Sequence, residues 1–125
     1  MNHHSNPPAT VVLTIAGFDP SGGAGITADL KTFAANNCYG IAAITALTVQ
    51  NTQGVSEVRP VEAAFLKASI EALMADGRVK AIKIGMVGDR ANAEVVREFL
   101  ETASSIPSVM DPVLRSSSGK ELLDA

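Results

Sequence analysis

Histidine is nearly missing from this sequence: the two in 125 residues stand together as His3 and His4. A Ser-His-Asp triad, a Cys-His dyad and a histidine-based zinc site each need a histidine held in folded structure, so those chemistries are set aside. Cysteine is as scarce. Cys38 alone permits no internal disulfide and points to a reducing, cytoplasmic setting. Without a folded histidine to activate it, it reads as a small buried hydrophobe. No apolar run reaches the roughly 18 residues of a membrane span. Basic excess is absent too: the net charge is −3, which leaves no electrostatic footprint for nucleic acid. An anionic ligand stays open, because a few backbone N–H groups hold a phosphate locally. The first ten residues are polar, carry two prolines and lack the apolar core of a signal peptide. They read as a disordered tail, residues 1–10.

What is present is apolar. Hydrophobic residues make up 46% of the chain, enough for a sizeable core in one domain. Val11 to Ala16 is a β-branched run that stops at Gly17 and reads as a buried strand. Gly17 to Gly25 holds four glycines and a proline in nine residues, a tight loop. Ile26, Leu30, Phe33 and Ala34 then recur at helical spacing. Ile41 to Val49 is a second apolar run ending at Gln50-Asn51, and Gly54 to Val61 alternates like a short edge strand. Phe65, Leu66, Ser69, Ile70, Leu73 and Met74 predict a second helix, closed near Gly77. Val79 to Ile84 predicts a third core strand, and Val95, Val96, Phe99, Leu100 and Ala103 a third helix. Pro107 to Met110 predicts a fourth strand, cut short at Asp111-Pro112. Ser116 to Gly119 reads as loop and Gly119 onward as the start of another helix.

Strands and helices alternate, which implies βαβ units and an α/β fold with a mostly parallel sheet. In such sheets ligands bind outside the carboxyl ends of the strands. Here those ends are Gly17 to Gly25, Gln50-Asn51, Gly85 to Gly88 and Asp111 to Val113, all rich in glycine, amide or acid. They are expected to share one rim.

Each candidate motif has a plainer alternative. The Gly-rich loop is no P-loop, since Gly22-Gly23 leads into Ala24 rather than Lys-Ser/Thr. Gly23-Ala24-Gly25-Ile26-Thr27-Ala28 fits G-x-G-x-x-A, but six residues separate it from the strand's end at Ala16. The second strand also ends in Gln50 rather than the acid that holds a ribose. A sharp strand–helix joint explains the glycines equally well. Asp29, one turn into the first helix, is ordinary by itself. Gln50 is less so: its amide offers one acceptor and two donors, the pattern that pairs with an aminopyrimidine edge. Asp111 suits a metal or a turn. Lys83 interrupts a buried strand, with a snorkelling edge residue as the plain alternative.

Taken together, Ala16 to Phe33 (Ala-Gly-Phe-Asp-Pro-Ser-Gly-Gly-Ala-Gly-Ile-Thr-Ala-Asp-Leu-Lys-Thr-Phe) resembles the opening of the hydroxymethylpyrimidine/phosphomethylpyrimidine kinase family. Tyr39-Gly40, Ile44 to Thr52 with Gly54-Val55, Lys83 to Met86 and Asp111 to Val113 follow in that family's order. The resemblance implies a ribokinase-like three-layer fold. It implies ATP- and Mg2+-dependent phosphorylation of 4-amino-5-hydroxymethyl-2-methylpyrimidine, then of its monophosphate, in thiamine biosynthesis. The positions matching Gly17, Asp29, Gln50 and Val113 are those that touch the pyrimidine. The Gly85-Met86 turn lies near the same pocket, and Asp111 faces the phosphate and metal. The implied partner is the small pyrimidine, with no nucleic acid or membrane and a homodimer left open. Family members often carry a lysine before the Ser118-Gly119 pair, which this loop lacks.

Members also continue well past Ala125. Residues 11–125 then correspond to the N-terminal, substrate-binding portion, with the catalytic base expected in the absent C-terminal half. The competing reading is a non-catalytic pyrimidine-binding module or truncated remnant. The gene sequence after Ala125 separates the two. A nucleotide-binding oxidoreductase domain is the third reading, disfavoured by the loop spacing.

Overall fold

The computed structural model describes residues 8–124. Most of the expected tail lies outside the described residues; its last residue, Thr10, already opens the first strand. The elements in chain order are β1 (Thr10–Phe18), α1 (Gly25–Ala35), β2 (Cys38–Asn51), β3 (Gly54–Pro60), α2 (Ala63–Met74), β4 (Val79–Ile84), β5 (Gly88–Asp89), α3 (Arg90–Thr102), β6 (Ser108–Met110) and β7 (Leu123–Asp124).

Five strands form one sheet in the order β3-β2-β1-β4-β6. β1 runs parallel to β2 and to β4, and β4 runs parallel to β6. Only β3 is antiparallel, folded back on β2 as an edge hairpin. The four expected strands are therefore neighbours, and their carboxyl ends share a rim.

Alternation along β1 explains the layers. Leu13 and Ile15 pack into a core with Leu66 and Ile70 of α2, Ile82 and Ile84 of β4, and Val96 of α3. Thr14, between them, turns to the other face and bonds Asp29 of α1. A strand with both faces covered must be apolar on both, which is why these runs show no polar–apolar alternation. Helices on opposite faces follow from right-handed crossovers that run in opposite directions along the sheet, β1 to β2 through α1 and the β2–β3 hairpin to β4 through α2. α1 lies close because Gly40 of β2 has no side chain: a Cβ there would stand 2.7 Å from Leu30 Cδ2. The helix stops at Ala35, with Asn37 in the left-handed region at φ 58°, a conformation asparagine tolerates better than most.

Four expectations need correction. Gly119 does not start a helix. It sits at φ 89° and closes a turn through Gly119 N–H to Ser116 O at 2.9 Å. The chain then doubles back, with Leu122 N–H donating to Leu114 O at 2.9 Å, and β7 pairs with β5. Phe65 belongs to α2 but is 64% exposed; the buried stripe runs through Leu66 and Ile70, about 100° away around the helix. Cys38 is half-buried rather than buried, because it opens β2 at the end of the sheet far from the rim. Lys83 is not an edge residue: β4 lies between β1 and β6. No helix among the described residues is long and apolar enough to cross a membrane.

Candidate functional site

A cavity of about 330 Å3 opens at the carboxyl rim on the α1 face, within the size range of small-molecule sites. The β1–α1 loop forms one wall, and Asp19 shapes that loop. Its carboxylate is nearly inaccessible, 3% exposed for the residue. Oδ1 accepts from Ser21 N–H at 2.8 Å and Ser21 Oγ at 2.6 Å, and Oδ2 from Gly23 N–H at 3.0 Å. Burial pushes the Asp19 carboxyl up, but the bonds from Ser21, Gly23 and Ala24 outweigh it and hold the group below its ordinary value. The loop thus closes on its own acid.

Two glycines make the wall thin. Gly25 begins α1 at φ 58°, and a Cβ there would collide with the Gly17 carbonyl. Gly17 faces Met86, whose Cε would stand 2.5 Å from a Cβ on Gly17. Met86 in turn is fixed from behind, because Thr45 Oγ1 donates to its carbonyl at 2.6 Å.

Asp29 reaches the cavity from the first turns of α1. Its Oδ2 accepts from Thr14 Oγ1 at 2.6 Å and from Lys83 Nζ at 2.9 Å. The Lys83 and Asp29 side chains are 26% and 15% exposed, so this pair is less screened than an ordinary surface ion pair. Gln50, at the end of β2, faces the same space; its Oε1 lies 3.1 Å from the Thr48 hydroxyl. That hydroxyl also stands 2.8 Å from Phe18 O, so its single proton has two acceptors to choose between. Across the cavity, Asp111 N–H donates to Ile84 O at 2.9 Å and Val113 N–H to Asp111 O at 2.8 Å. The first bond continues the β4–β6 pairing by one residue, the second is a local turn within the segment, and both residues stand at the rim. Arg115, Ser116, Ser117 and Leu122 of the doubled-back segment cover the top.

Gly17, Asp29, Gln50, Met86, Val113 and Asp111 all line this one cavity. They come from five segments spread over about a hundred residues, and the parallel topology collects them. Sequence reasoning missed Asp19 as the organiser of the loop, Thr14 and Lys83 as the donors that hold Asp29, and Thr48 as the hydroxyl beside Gln50. A signal was there for two of them. Thr14 and Lys83 interrupt largely apolar strands, and they are register partners on β1 and β4. Among the described residues no cluster of three or more histidine, cysteine or acidic side chains is placed to hold a metal. Asp111 stands as a single carboxylate.

A parallel sheet with helices on both faces and a cleft at its carboxyl rim is the frame of a ribokinase-like small-molecule kinase, and solved structures of that class match it. A phosphomethylpyrimidine kinase from Clostridium difficile 630 superposes with a TM-score of 0.81 at 46% identity, over 91% of this chain and 49% of that one. A Staphylococcus aureus pyridoxal kinase in complex with AMP-PCP gives 0.73 at 33% identity, over 90% and 41%. The family model for phosphomethylpyrimidine kinase matches residues 19–125, and the chain belongs to that family. It is similar to the hydroxymethylpyrimidine/phosphomethylpyrimidine kinase of Aquifex aeolicus, 50% identical over 113 residues, which are 90% of this chain and 44% of that protein. The chain thus spans less than half the length of that relative.

Proposed function

We propose that this chain supplies the acceptor-binding part of a cytoplasmic kinase that phosphorylates 4-amino-5-hydroxymethyl-2-methylpyrimidine and then its monophosphate. The observation that carries this reading is the convergence of Gly17, Asp29, Gln50, Met86 and Val113 on one cavity of small-molecule size. The chemistry suits a flat, polar-edged ring. Gln50 keeps two amide N–H donors with no partner among the described residues and an acceptor oxygen 3.1 Å from the Thr48 hydroxyl. It can accept from the 4-amino group and donate to the adjacent ring nitrogen. Gly17 and the flexible Met86 thioether give the close, adaptable apolar walls that an aromatic face needs.

ATP and Mg2+ are the co-reactants this reading requires. Phosphoryl transfer is mostly positioning and charge stabilisation. Mg2+ commonly takes one or two protein carboxylates and leaves the remaining positions to phosphate and water. The single Asp111 carboxylate at the rim suits that share, and it is the residue that would hold the ion. Bound Mg2+ would offset the charge of the phosphoryl group.

Calorimetric titration with 4-amino-5-hydroxymethyl-2-methylpyrimidine tests the reading. The expected result is one site per chain, competed by the pyrimidine monophosphate and not by adenine. A folded chain that binds neither pyrimidine would overturn it.

A further inference from the structure

Asp29 offers its two oxygens unequally. Oδ2 takes both available donors, Thr14 Oγ1 at 2.6 Å and Lys83 Nζ at 2.9 Å. Oδ1 accepts no hydrogen bond among the described residues, and Asp29 lines the cavity. Lys83 lies on a central strand whose other residues are largely apolar, with its side chain 26% exposed. A cation there is costly unless paired, and its partner is this one oxygen. Thr14, fully buried on β1, spends its only proton on the same atom. Two donors from two neighbouring strands thus fix one side of a carboxylate that starts from a helix.

We infer that Lys83 and Thr14 are positioning residues, holding Asp29 so that Oδ1 accepts a hydrogen bond from the hydroxymethyl group of the ligand. The inference rests on the pyrimidine reading above and deepens it. An ionised carboxylate only accepts, so it must meet a donor. The aminopyrimidine has two donor groups, the 4-amino group and the hydroxymethyl O–H. With Gln50 accepting one amino N–H, the second amino N–H and the hydroxyl remain for Asp29, and a 5-methyl analogue, which keeps the amino group and lacks the hydroxyl, tells them apart. Loss of Lys83 removes a bond in which donor and acceptor are both charged, whereas loss of Thr14 removes a neutral donor to the same carboxylate, so the Lys83 effect is the larger.

The test compares two probes, 4-amino-5-hydroxymethyl-2-methylpyrimidine and its 5-methyl analogue without the hydroxyl, by calorimetry on the parent, Lys83→Met, Lys83→Arg and Thr14→Val. Lys83→Met is expected to lower affinity for the alcohol about tenfold while changing the analogue less than about twofold. Lys83→Arg should recover most of the loss, and Thr14→Val should show the same selectivity on a smaller scale. Equal losses for both probes, or no loss in a folded Lys83→Met protein, overturn the positioning role. A parent that binds neither probe defeats the pyrimidine reading instead. In that event the Asp29 χ1 couplings measured by NMR decide the positioning role. One rotamer in the parent and averaging in Lys83→Met supports it; one rotamer in both overturns it.

Discussion

Gly17 and Met86 meet across the cavity so closely that a methyl group on Gly17 would stand 2.5 Å from Met86 Cε. The far end of a methionine can move, so Gly17→Ala is tolerated by the fold but pushes Met86 into the ligand's space. Gly25 differs. Its φ is 58° and the obstacle is the Gly17 backbone carbonyl, which cannot turn aside. Gly25→Ala should therefore cost about 1–3 kcal/mol of stability, and Gly17→Ala less than about 1 kcal/mol. Urea midpoints give the two stabilities, and pyrimidine titration gives the affinity, which Gly17→Ala should lower about tenfold. Equal stability losses would contradict the different obstacles.

Asp19 makes the fold acid-sensitive in a definite direction. Burial raises its carboxyl, but the Ser21, Gly23 and Ala24 bonds lower it further, so the folded value lies below the unfolded one. A carboxyl depressed in this way stabilises the fold above its unfolded pKa, about 3.9, and that contribution is lost as pH falls through the lower folded value. Asp19→Asn keeps the size but gives up one acceptor and the charge. Its stability deficit should be full near neutral pH and shrink as the pH falls below about 3.9. Chemical denaturation of both proteins across that range checks it. A deficit that does not change with pH would show that the charge on Asp19 is immaterial.

The sheet was legible because parallel strands covered on both faces are largely apolar, so Val11 to Ala16, Ile41 to Val49 and Val79 to Ile84 stand out as mostly apolar runs that end in glycine or amide. The structure extends the first two, to Thr10–Phe18 and Cys38–Asn51. The site residues were legible at those ends through the family's motifs. What escaped was set by contacts far apart in sequence. For Lys83, which interrupts a buried strand, a strand-edge lysine stayed open as the plain alternative because its partner Asp29 lies 54 residues away. Phe65 looked buried because periodicity alone cannot choose between adjacent apolar positions on α2. The stretch after Gly119 looked helical until its pairing with Leu114 and β5 was seen.

Asn92 ties the back of the site together. It is fully buried, and its Nδ2 donates to Thr45 O at 3.1 Å and Val61 O at 3.2 Å. Thr45 is the residue that holds the Met86 carbonyl, so α3 is joined to the cavity wall through one amide. Oδ1 has no partner among the described residues, which makes the donor side the half of the amide that matters. Asn92→Ala should cost about 1–3 kcal/mol by stripping those donors. Asn92→Asp should cost more, because it aims a carboxylate at two carbonyl oxygens. Thermal or urea unfolding measures both. An aspartate variant as stable as the alanine one would place the importance of Asn92 in its volume.

Gln50→Glu separates recognition from shape. The Thr48 hydroxyl, 3.1 Å from Oε1, donates to a carboxylate as readily as to an amide, so the side chain keeps its place. What the substitution removes is the Nε2 donor. In the proposed complex that donor meets a ring nitrogen lone pair, which would then face an ionised carboxylate. Leaving such an acceptor unpaired costs about 1–3 kcal/mol, a loss of affinity of roughly tenfold to a hundredfold. Stability should change less, since Gln50 lies at the open end of β2 and is only half-buried. The titration belongs well above the pKa of the pyrimidine, because a protonated ring would donate to the carboxylate and restore the pair. For the same reason, lowering the pH toward that pKa should recover affinity in Gln50→Glu and not in the parent. A folded Gln50→Glu protein that binds the neutral pyrimidine as well as the parent does would move the aminopyrimidine edge away from β2.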